Sequence, residues 1–393
     1  MNDEMSSVDV VVVIDNGSGA TRAGFAGDDS PKVSLLSLVA RRSSAPPVMT
    51  GERLGPYCGE EATKIGKKSK IWALNSPIEK GLITDWDDME QIWHHTFYNE
   101  LRVVPENHAV LLTEPPLCPK ANRERMLQIM METFNVAAVH FNIQAVLALY
   151  SSGRTTGCVL DSGFGATHSV PIYEGYHLPH ATTRLPLAGN DVTEHLLKLL
   201  SEQCGEAEPW MLDNDIVNGI KENLCFVADD FDQVLTDTAS GDDCQHVYKL
   251  LDGEAVVLGS SECAGAPEVL FQPHLAGYEF LGIADIVVNS IRELDQAEQV
   301  HMSANIVLAG GNTMFLGFRK RLSHEIRRRV APEFSKHVMV HADPERQNAV
   351  WYGGSVLASL PAFSAGFTSN RQWITREEYD ESGPSAVHRR PGF

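Results

Sequence analysis

Two short segments of the chain place an aspartate at the end of an apolar run and follow it with closely spaced glycines. Residues 11–25 read VVVIDNGSGATRAGF, and residues 157–171 read GCVLDSGFGATHSVP. Glycine allows positive φ and close approach of the backbone to a ligand, and successive backbone N–H groups in such a turn form a nest for anions. An aspartate at the strand end can hold hydrated Mg²⁺ or orient water. The chemistry predicted by this repeat is therefore phosphate binding.

Each copy of the repeat predicts a β-hairpin, one starting at Asp15 and the other at Asp161. Because internal repeats indicate a duplicated architecture, we expect the two hairpins to face each other across one nucleotide cleft. Two ordinary glycine-rich turns without a ligand are the alternative.

A third glycine signal lies in residues 305–317, which read NIVLAGGNTMFLG. Residues 305–309 are expected to form a short buried strand, followed by Gly310 and Gly311. A glycine pair after a strand is a place where a nucleoside often lies beside the start of a helix, although a tight strand-to-helix turn would look the same. Residues 318–330 are expected to form that helix, with the apolar stripe Phe318, Leu322, Ile326 and Val330.

Two further helices and three loops are expected around these segments. Residues 121–134 predict a helix with the apolar stripe Met126, Ile129, Met130 and Phe134. Residues 215–228 predict another, which carries Lys221 and Glu222 opposite an apolar face of Ile216, Ile220, Leu224 and Val227. Proline, glycine and apolar residues among glycines indicate loops at 41–56, 272–282 and 360–373.

The composition is that of a soluble protein with more than one lobe. The chain has 393 residues, of which 43% are apolar and 21% charged, so two lobes or more can form. The net charge of -20 argues against non-specific binding to nucleic acid or membranes. The seven cysteines have no metal-like or C-x-x-C spacing, which indicates free thiols in a reducing compartment.

Targeting signals are not recognisable in the sequence. The start of the chain is acidic and lacks the apolar core of a signal peptide, and no run of about 18 apolar residues predicts a membrane helix. A cytoplasmic location is therefore expected, with the nucleus as the alternative.

One predicted helix is unusually basic for so acidic a chain. Residues 318–330 carry six cationic side chains, namely Arg319, Lys320, Arg321, Arg327, Arg328 and Arg329. A solvated helix face is one interpretation, and a docking patch for an acidic partner is the other.

Long segments of the chain resemble the actin family, in order and from about residue 10 to the C-terminus. They include PIEKGLITDWDDMEQIWHHTFYNELRV, LLTEPPLCPKANRE, IQAVLALYSSGRTTG, VPIYEGYHLPHA, IKENLCFVA, GGNTMF, VWYGGSVLASL and REEYDESGPSAVHR. The resemblance implies an α/β, two-lobed actin-like ATPase fold of duplicated ribonuclease-H-like domains with two inserted subdomains. It implies an outer large subdomain at 1–36, 77–151 and 349–393, a small DNase-loop subdomain at 37–76, an inner large subdomain at 152–187 and 279–348, and an inner small subdomain at 188–278.

The same resemblance implies ATP or ADP with Mg²⁺ as ligands. Asp15 and Asp161 would hold Mg²⁺ through water, and Gln144 and His168, together with Asp161, would position the attacking water. Contacts to the nucleotide would come from Asp15, Asn16, Gly17, Ser18, Gly19, Arg22, Ser162, Gly163, Gly165, Lys221, Glu222, Gly310, Gly311 and Met314.

Several residues of this site depart from the family's pattern. Phe164 stands where the family has an aspartate in the second hairpin, so Mg²⁺, which prefers oxygen ligands, should bind more weakly. Arg22 replaces a lysine that contacts phosphate, and a guanidinium is not equivalent to an ammonium. Other replaced positions are Asn190, Gln347 and Asn348. We expect ATP or ADP to bind, and any Mg²⁺-dependent hydrolysis of ATP to ADP and phosphate to be slow or absent.

The resemblance leaves two cellular roles open. The first is a cytoskeletal subunit that assembles with itself or with actin into filaments. The second is a non-polymerising subunit of an axonemal, dynactin-type or chromatin-remodelling complex; a soluble kinase or chaperone ATPase of the same fold fits less well. Actin-binding proteins would dock at a cleft formed by Tyr150, Gly153, Thr155, Leu357 and Leu360. Neither direct nucleic-acid binding nor a membrane partner is expected.

Overall fold

The chain divides into two compact units of similar size. A computed structural model describes residues 9–42, 55–68, 71–204, 209–241, 244–250, 253–364 and 372–389. Unit 1 comprises Met1–Thr155 and Asn348–Phe393, and unit 2 comprises Thr156–Gln347. Each unit contains a mixed β-sheet covered by helices.

The described residues contain short strands and helices in alternation. The strands are β1 (Asp9–Asn16), β2 (Ala20–Phe25), β3 (Val33–Leu36), β4 (Val39–Arg42), β5 (Tyr57–Cys58), β6 (Trp72–Asn75), β7 (Ile78–Glu79), β8 (Leu82–Ile83), β9 (His108–Glu114), β10 (Ala138–Ile143), β11 (Gly157–Ser162), β12 (Thr167–Tyr173), β13 (Tyr176–His177), β14 (Thr183–Leu185), β15 (His246–Lys249), β16 (Ala255–Leu258), β17 (Ile306–Ala309), β18 (Val340–His341) and β19 (Ile374–Thr375).

The helices are α1 (Gly59–Lys68), α2 (Trp86–His94), α3 (Lys120–Gln128), α4 (Gln144–Ser151), α5 (Gly189–Cys204), α6 (Asn214–Leu224), α7 (Phe231–Ser240), α8 (Ser260–Glu268), α9 (Ile283–Arg292), α10 (Gln296–Ala304), α11 (Phe318–Arg329), α12 (Pro332–Ser335), α13 (Ala349–Ser359), α14 (Pro361–Ser364) and α15 (Arg376–Ser382). π-helical turns extend α2 over His95–Leu101 and α3 over Ile129–Thr133. Short 3-10 turns lie at Pro105–Asn107, Pro179–Ala181, Pro209–Leu212, Pro273–Ala276, Gly311–Met314, Arg346–Asn348 and Gly383–Arg389. Within the described ranges, no helix is long and apolar enough to cross a membrane.

The sheet of unit 1 has the order β19-β10-β9-β1-β2-β3. β1, β9 and β10 run parallel, whereas β2 returns antiparallel to β1. The apolar run of β1 is buried on both faces, as expected for the parallel part of a sheet. Val12 and Ile14 belong to one buried apolar cluster with residues of α2, and the side chain of Val13 lies against α13.

The sheet of unit 2 has the order β13-β12-β11-β17-β18, with β14 also paired to β12. β11, β17 and β18 run parallel, and β12 returns antiparallel to β11. Both sheets therefore follow one plan, in which the first strand of a hairpin pairs in parallel with a later strand. The predicted duplicated α/β fold is confirmed, and so are both predicted β-hairpins.

The predicted helices are present, with corrections at their ends. α11 buries Phe318, Leu322 and Ile326 as predicted, but Val330 lies past its end in extended conformation and is half-buried. The helix predicted at 121–134 buries its whole stripe, although its last turn is π-helical.

The helix predicted at 215–228 is present as α6, but it ends four residues before the predicted end. α6 stops at Leu224, because the next residues pair with other segments. Phe226 forms a parallel β-bridge with Leu316, and the amide of Val227 donates to the carbonyl of Leu316 at 2.8 Å. Val227 is buried, as predicted, but on an extended segment.

The three predicted loops have different outcomes. Residues 41–42 belong to β4, and residues 43–54 lie outside the described residues. The loop at 272–282 folds onto the core of unit 2, with Leu275, Tyr278 and Phe280 partly buried and Leu281 54% exposed. In the third loop, Pro361–Ser364 is helical, and residues 365–371 lie outside the described ranges.

Candidate functional site

The turn of the first hairpin is so tight at Gly17 that only glycine fits there. β1 and β2 pair through Asn16 and Thr21, with Asp15 opposite Arg22. A Cβ at Gly17 would lie 2.6 Å from the Ala20 carbonyl oxygen, so the turn admits no side chain at this position. Gly17 and Gly19 do not adopt positive φ, contrary to the expectation that this freedom is what the turn requires.

The carboxylate of Asp15 is buried at the end of β1 in a network of donors. Its Oδ1 accepts from Thr113 Oγ1 at 2.7 Å and from Gln144 Nε2 at 3.1 Å. Burial raises the pKa of Asp15 above its ordinary value, while the charge of Arg22 and these two hydrogen bonds oppose the rise. Thr113 also accepts from the amide of Asn16 at 3.0 Å, so β9 fixes the hairpin at the strand end.

Gln144 reaches the hairpin through its amide nitrogen. Besides Asp15, Nε2 contacts the carbonyl of Asn16 at 3.1 Å. Among the described residues, no donor approaches its Oε1. Gln144 can therefore offer a bound water an acceptor and not a donor.

The turn itself is held by neighbouring segments of unit 1. Trp93 donates its indole N–H to Asn16 Oδ1 at 3.0 Å, and Ser37 donates its hydroxyl to the carbonyl of Gly17 at 2.6 Å. Ser18 accepts from the amide of Gly81 at 3.0 Å. The Asn16 and Ser18 side chains are thus already engaged within the protein.

Two of the residues that depart from the family's pattern are bonded to each other. Arg22 donates its Nε to Asn348 Oδ1 at 2.9 Å, which fixes one side of the guanidinium. Asn348 immediately precedes α13, whose Trp351 donates to the carbonyl of Val13 at 3.1 Å. The orientation of Arg22 is therefore coupled to a helix that packs on β1.

The second hairpin repeats the first with different supports. β11 and β12 pair through Ser162 and Thr167, and the amide of Gly163 bonds to the carbonyl of Ala166 at 3.1 Å. Here, too, neither Gly163 nor Gly165 has positive φ. A Cβ at Gly163 would meet its nearest atom at 3.8 Å, which is ordinary contact. The protein itself therefore leaves room for a side chain at Gly163.

Asn312 ties the second hairpin to the turn after β17. Its Nδ2 donates to Ser162 Oγ at 3.2 Å and to the carbonyl of Gly163 at 3.0 Å. Ser162 also shares a hydrogen bond with Thr167 at 2.7 Å and is fully buried. Its hydroxyl is structural, so its predicted contribution to ligand binding would come from the backbone.

Phe164 stands beside the buried cation of Lys221. The ammonium lies 5.8 Å from the centroid of the ring, within the range of a cation–π contact. Lys221 also donates to Thr193 Oγ1 at 2.8 Å, Asn218 Oδ1 at 3.0 Å and the Gly189 carbonyl at 3.2 Å. Burial lowers the pKa of Lys221. All three ammonium donors are thus satisfied by the protein.

Two residues near Lys221 are more open, namely Glu222, a predicted nucleotide contact, and Asn190, one of the replaced positions. Glu222 is exposed, and Asn190 bonds through its amide to the carbonyl of Phe164 at 2.9 Å and through its side chain to Glu194 at 2.7 Å. Lys221 and Phe164 therefore lie together, and Glu222 points away from the buried set.

His168 is buried on β12 opposite Arg184. Burial lowers its pKa to about 4, and the charge of Arg184 contributes. The imidazole is consequently neutral at pH 7. It can orient a water molecule, but it is too weak a base to store the proton.

The glycine pair after β17 approaches the second hairpin closely. Gly310 has a φ of 87°, and a Cβ there would lie 2.3 Å from the Ser162 carbonyl oxygen and 2.8 Å from Asp161 Oδ1. Glycine was predicted to be required at the end of this strand, and Gly310 has the positive φ and the close contacts that require it. Gly311 and Met314 follow in a 3-10 turn, and both are exposed.

The carboxylates of Asp15 and Asp161 were predicted to hold a cation. Asp15 and Asp161 supply the oxygen that Mg²⁺ prefers. No group of three His, Cys, Asp or Glu side chains in the described ranges could hold a metal ion. That Asp15 and Asp161 hold Mg²⁺ through water stays a prediction.

Four supporting residues were not predicted from the sequence. They are Thr113, Thr193, Asn218 and Asn312, which hold Asp15, Lys221 and Ser162. Thr113 could have been found, because it is polar in a fully buried apolar strand. The other three carry no comparable signal.

The predicted docking cleft falls on two packed helices of unit 1. Tyr150 lies at the end of α4 and Leu357 at the end of α13, and these helices pack against each other. Leu360 follows α13 and is 48% exposed, while Gly153 has a φ of 71° beyond α4.

A family comparison agrees with the segments named above. The model of the family described as Actin matches residues 6–391, nearly the whole chain. The match spans both hairpins, the glycine pair after β17 and all the helices described here. The chain therefore belongs to the actin family.

Proposed function

We propose that the chain binds ATP or ADP, with its phosphates at the Asp15 and Asp161 hairpins, and that it turns ATP over slowly or not at all. The observation that carries the proposal is the repeat itself. Each unit contains a D-[NS]-G-x-G-A-T hairpin with the same strand pairing. In each hairpin, an aspartate lies near the end of the first strand. Family membership adds that nucleotide binding is general among its relatives.

The site residues can position the reacting groups and neutralise charge. These are the main contributions that a protein makes to phosphoryl transfer. Bound Mg²⁺ would neutralise charge on the phosphates. Gln144 offers one acceptor oxygen to a water, and neutral His168 can orient one without taking its proton. No carboxylate stands at Phe164 to order water, which supports slow turnover.

Gly163 provides a sharp test of nucleotide binding. The protein tolerates a Cβ there, so Gly163→Ala should fold with an unchanged melting temperature. A ligand that approaches the turn backbone would meet the added methyl group. We expect purified wild-type protein to retain nucleotide and to melt at higher temperature with ATP and Mg²⁺, and the variant to lose both effects.

Wild-type protein without retained nucleotide and without a thermal shift would refute the proposal. Equal shifts in wild type and Gly163→Ala would show that ligand binds elsewhere. Slow turnover is tested separately by measuring phosphate release from the saturated protein. Release at the rate of an active actin would contradict that part of the proposal.

For the cellular role, we propose a cytoskeletal protein of the cytoplasm that contributes to actin-type filaments. Family membership supports this role, and the exposed Leu360 beside the Tyr150 and Leu357 helix ends suits docking of actin-binding proteins. Sedimentation with ATP and Mg²⁺, alone and with added actin, followed by microscopy of the pellet, tests it.

A non-polymerising subunit of a larger complex is the second candidate. It is favoured by the segment 272–282, which the resemblance likens to actin's interstrand plug. Tyr278 and Phe280 stack at 4.8 Å between ring centroids, and Tyr278 donates to Asp191 Oδ1 at 3.1 Å. With these side chains docked, Leu281 is left as the exposed apolar group. Soluble protein under all the sedimentation conditions would favour this candidate.

A further inference from the structure

The six basic residues of 318–330 do not form a single set. Arg321 is buried and pairs with Glu268 at 2.8 Å and with Glu325 at 2.8 Å. Arg329 pairs with Asp285 at 2.8 Å and also with Glu325. Removal of one partner of the buried Arg321–Glu268 pair would cost stability, and the Arg329 pairs are partly buried. Arg321 and Arg329 therefore serve the fold, and neither interpretation of the basic helix applies to them.

The remaining basic residues are exposed on α11, and together we call them the cationic face. Lys320, Arg327 and Arg328 lie on one side of the helix, about two turns apart, and Arg319 flanks this side at the start of the helix, so that the set spans about 14 Å along the axis. The cationic face consists of the exposed residues Arg319, Lys320, Arg327 and Arg328.

Most of this charge is not used within the protein. Arg319 and Arg328 form no ion pair or hydrogen bond with any described residue. Lys320 pairs with Asp229, but both side chains are more than half exposed, and such surface pairs contribute little. Arg327 donates one N–H to the Val338 carbonyl at 2.9 Å and keeps its others. The face is therefore available to an outside partner.

The residues of the cationic face line a groove of about 1260 Å³ within unit 2. At the start of α11, the groove is lined by Met314 and by Leu316, which is 80% exposed. The volume exceeds the ~300–1,000 Å³ usual for small-molecule sites. An apolar end followed by a cationic strip matches a chain segment better than a single small ligand.

Carboxylates also line the groove, and they narrow the choice of partner. They belong to Asp229, Asp230 and Asp232. Asp229 is paired to Lys320, and Asp230 caps α7 by accepting from the Gln233 amide at 3.3 Å. A phosphate backbone entering the groove would meet these carboxylates and a chain of net charge -20. A peptide can instead place carboxylates on one side only.

We propose that the groove along α11 binds an acidic segment of a partner protein, with an apolar side chain on Leu316 and carboxylates along the cationic face. Lys320 and Arg328 are the principal contacts, because they lie about two turns apart on one side of the helix and charged donors bind carboxylates strongly. The proposal does not depend on nucleotide binding.

The test uses full-length protein and a labelled peptide probe in fluorescence anisotropy. The probe carries leucine at its N-terminus and glutamates at i, i+4 spacing; a second probe has glutamine in place of glutamate. The test variant is Lys320→Glu/Arg328→Glu, whose positions are exposed on one side of α11. The matched control is Lys198→Glu/Lys249→Glu, which makes the same charge change elsewhere on unit 2.

We expect the glutamate probe to bind the wild type, to weaken as salt rises, and to lose about tenfold or more in affinity on the test variant. The control variant should lose much less. Leu316→Ser should weaken binding several-fold, whereas Leu281→Ser, at another exposed leucine, should not.

Three outcomes would overturn the proposal. They are no binding of the glutamate probe to wild type, equal losses in the test and control variants, and equal binding of both probes. A single-stranded oligonucleotide that binds more tightly than the peptide and is lost in the test variant would assign the face to nucleic acid instead. Unchanged melting temperatures would show that each variant is folded.

Discussion

The two hairpins have the same backbone plan but differ in the cation beside them. At the first, a buried carboxylate, Asp15, lies opposite a cation, Arg22, whose guanidinium is fixed by Asn348. At the second, the nearby cation is Lys221, which is buried, fully hydrogen-bonded and faced by the Phe164 ring. The first hairpin keeps charged groups at its turn, and the second has withdrawn its cation into the protein.

This difference shows that duplication preserves strand pairing more strictly than it preserves chemistry. Backbone N–H groups of a turn are supplied by any sequence that can form it, so the second hairpin can still bind an anion. Charge neutralisation needs particular side chains. We therefore expect the first hairpin to carry the charge-dependent part of binding and the second mainly to contribute its backbone.

The largest expected effect is a dependence of the folded protein's stability on pH. His168 of the second hairpin and Asp15 of the first contribute to it with opposite signs. His168 has a pKa of about 4 in the folded protein against 6.5 when unfolded. Below pH 6.5 the unfolded chain therefore takes up a proton that the folded chain refuses, and stability falls as pH falls towards 4. The loss reaches about 3 kcal/mol and then levels off. Asp15 acts oppositely, since its raised pKa makes the folded state bind the proton first.

Chemical denaturation of wild type and His168→Asn between pH 4 and pH 7 measures the His168 contribution. The variant should be less sensitive to acid, whatever its stability at neutral pH. The exposed His180→Asn serves as a control. Parallel pH curves for wild type and His168→Asn would refute the burial-driven shift.

The next effect concerns the charge of Asp15. Asp15→Asn keeps an acceptor for Thr113 but removes the buried negative charge, so the apo protein should be as stable or more stable. Binding of ATP with Mg²⁺ should weaken about 10–100-fold, since interactions of charged groups contribute about 1.5–3 kcal/mol. Calorimetric titration with and without Mg²⁺ measures this. An equal loss in both conditions would mean that Asp15 does not act through the cation.

Much of this arrangement could be predicted from the sequence because it rests on short-range pattern. The apolar runs before Asp15 and Asp161 predicted two hairpins, and the i, i+4 stripe of 318–330 predicted α11. The end of α6 at Leu224 could not be predicted, because it depends on the pairing of Phe226 with Leu316, 90 positions away. The same holds for the link between Arg22 and Asn348.

The site was less predictable than the fold for a similar reason. The family resemblance implied Lys221 as a ligand contact, but of its three acceptors two come from α5 and one from α6. The basic run at 318–330 likewise gave no sign that Arg321 and Arg329 pair inward. The periodicity of a sequence predicts which side of a helix is apolar, but it does not predict which charged side chains form ion pairs with other elements.

A smaller effect tests whether Phe164 is what separates the two hairpins. Phe164→Asp places a carboxylate at the second turn, where the side chain is 38% exposed. We expect Mg²⁺ to bind the nucleotide complex about tenfold more tightly and phosphate release to accelerate. Phe164→Leu removes the ring without adding oxygen, and it should change neither quantity. Equal behaviour of both variants would mean that the loss of the carboxylate does not distinguish the hairpins.

The smallest expected effect tests how the first hairpin fixes its cation. In wild type, Arg22 Nε donates to Asn348 Oδ1, a contact that lysine cannot make with the same geometry. Asn348→Ala should therefore leave the charge in place but release its orientation, which costs about 1 kcal/mol, or about fivefold in ATP affinity. Arg22→Lys should cost a similar amount, and the double variant should cost little more than either single change, because both remove one interaction. Additive losses in this cycle would show that Asn348 and Arg22 act independently. In that case the first hairpin would hold its cation no more firmly than an ordinary surface arginine is held, and the contrast between the hairpins would reduce to Asp15 and Phe164.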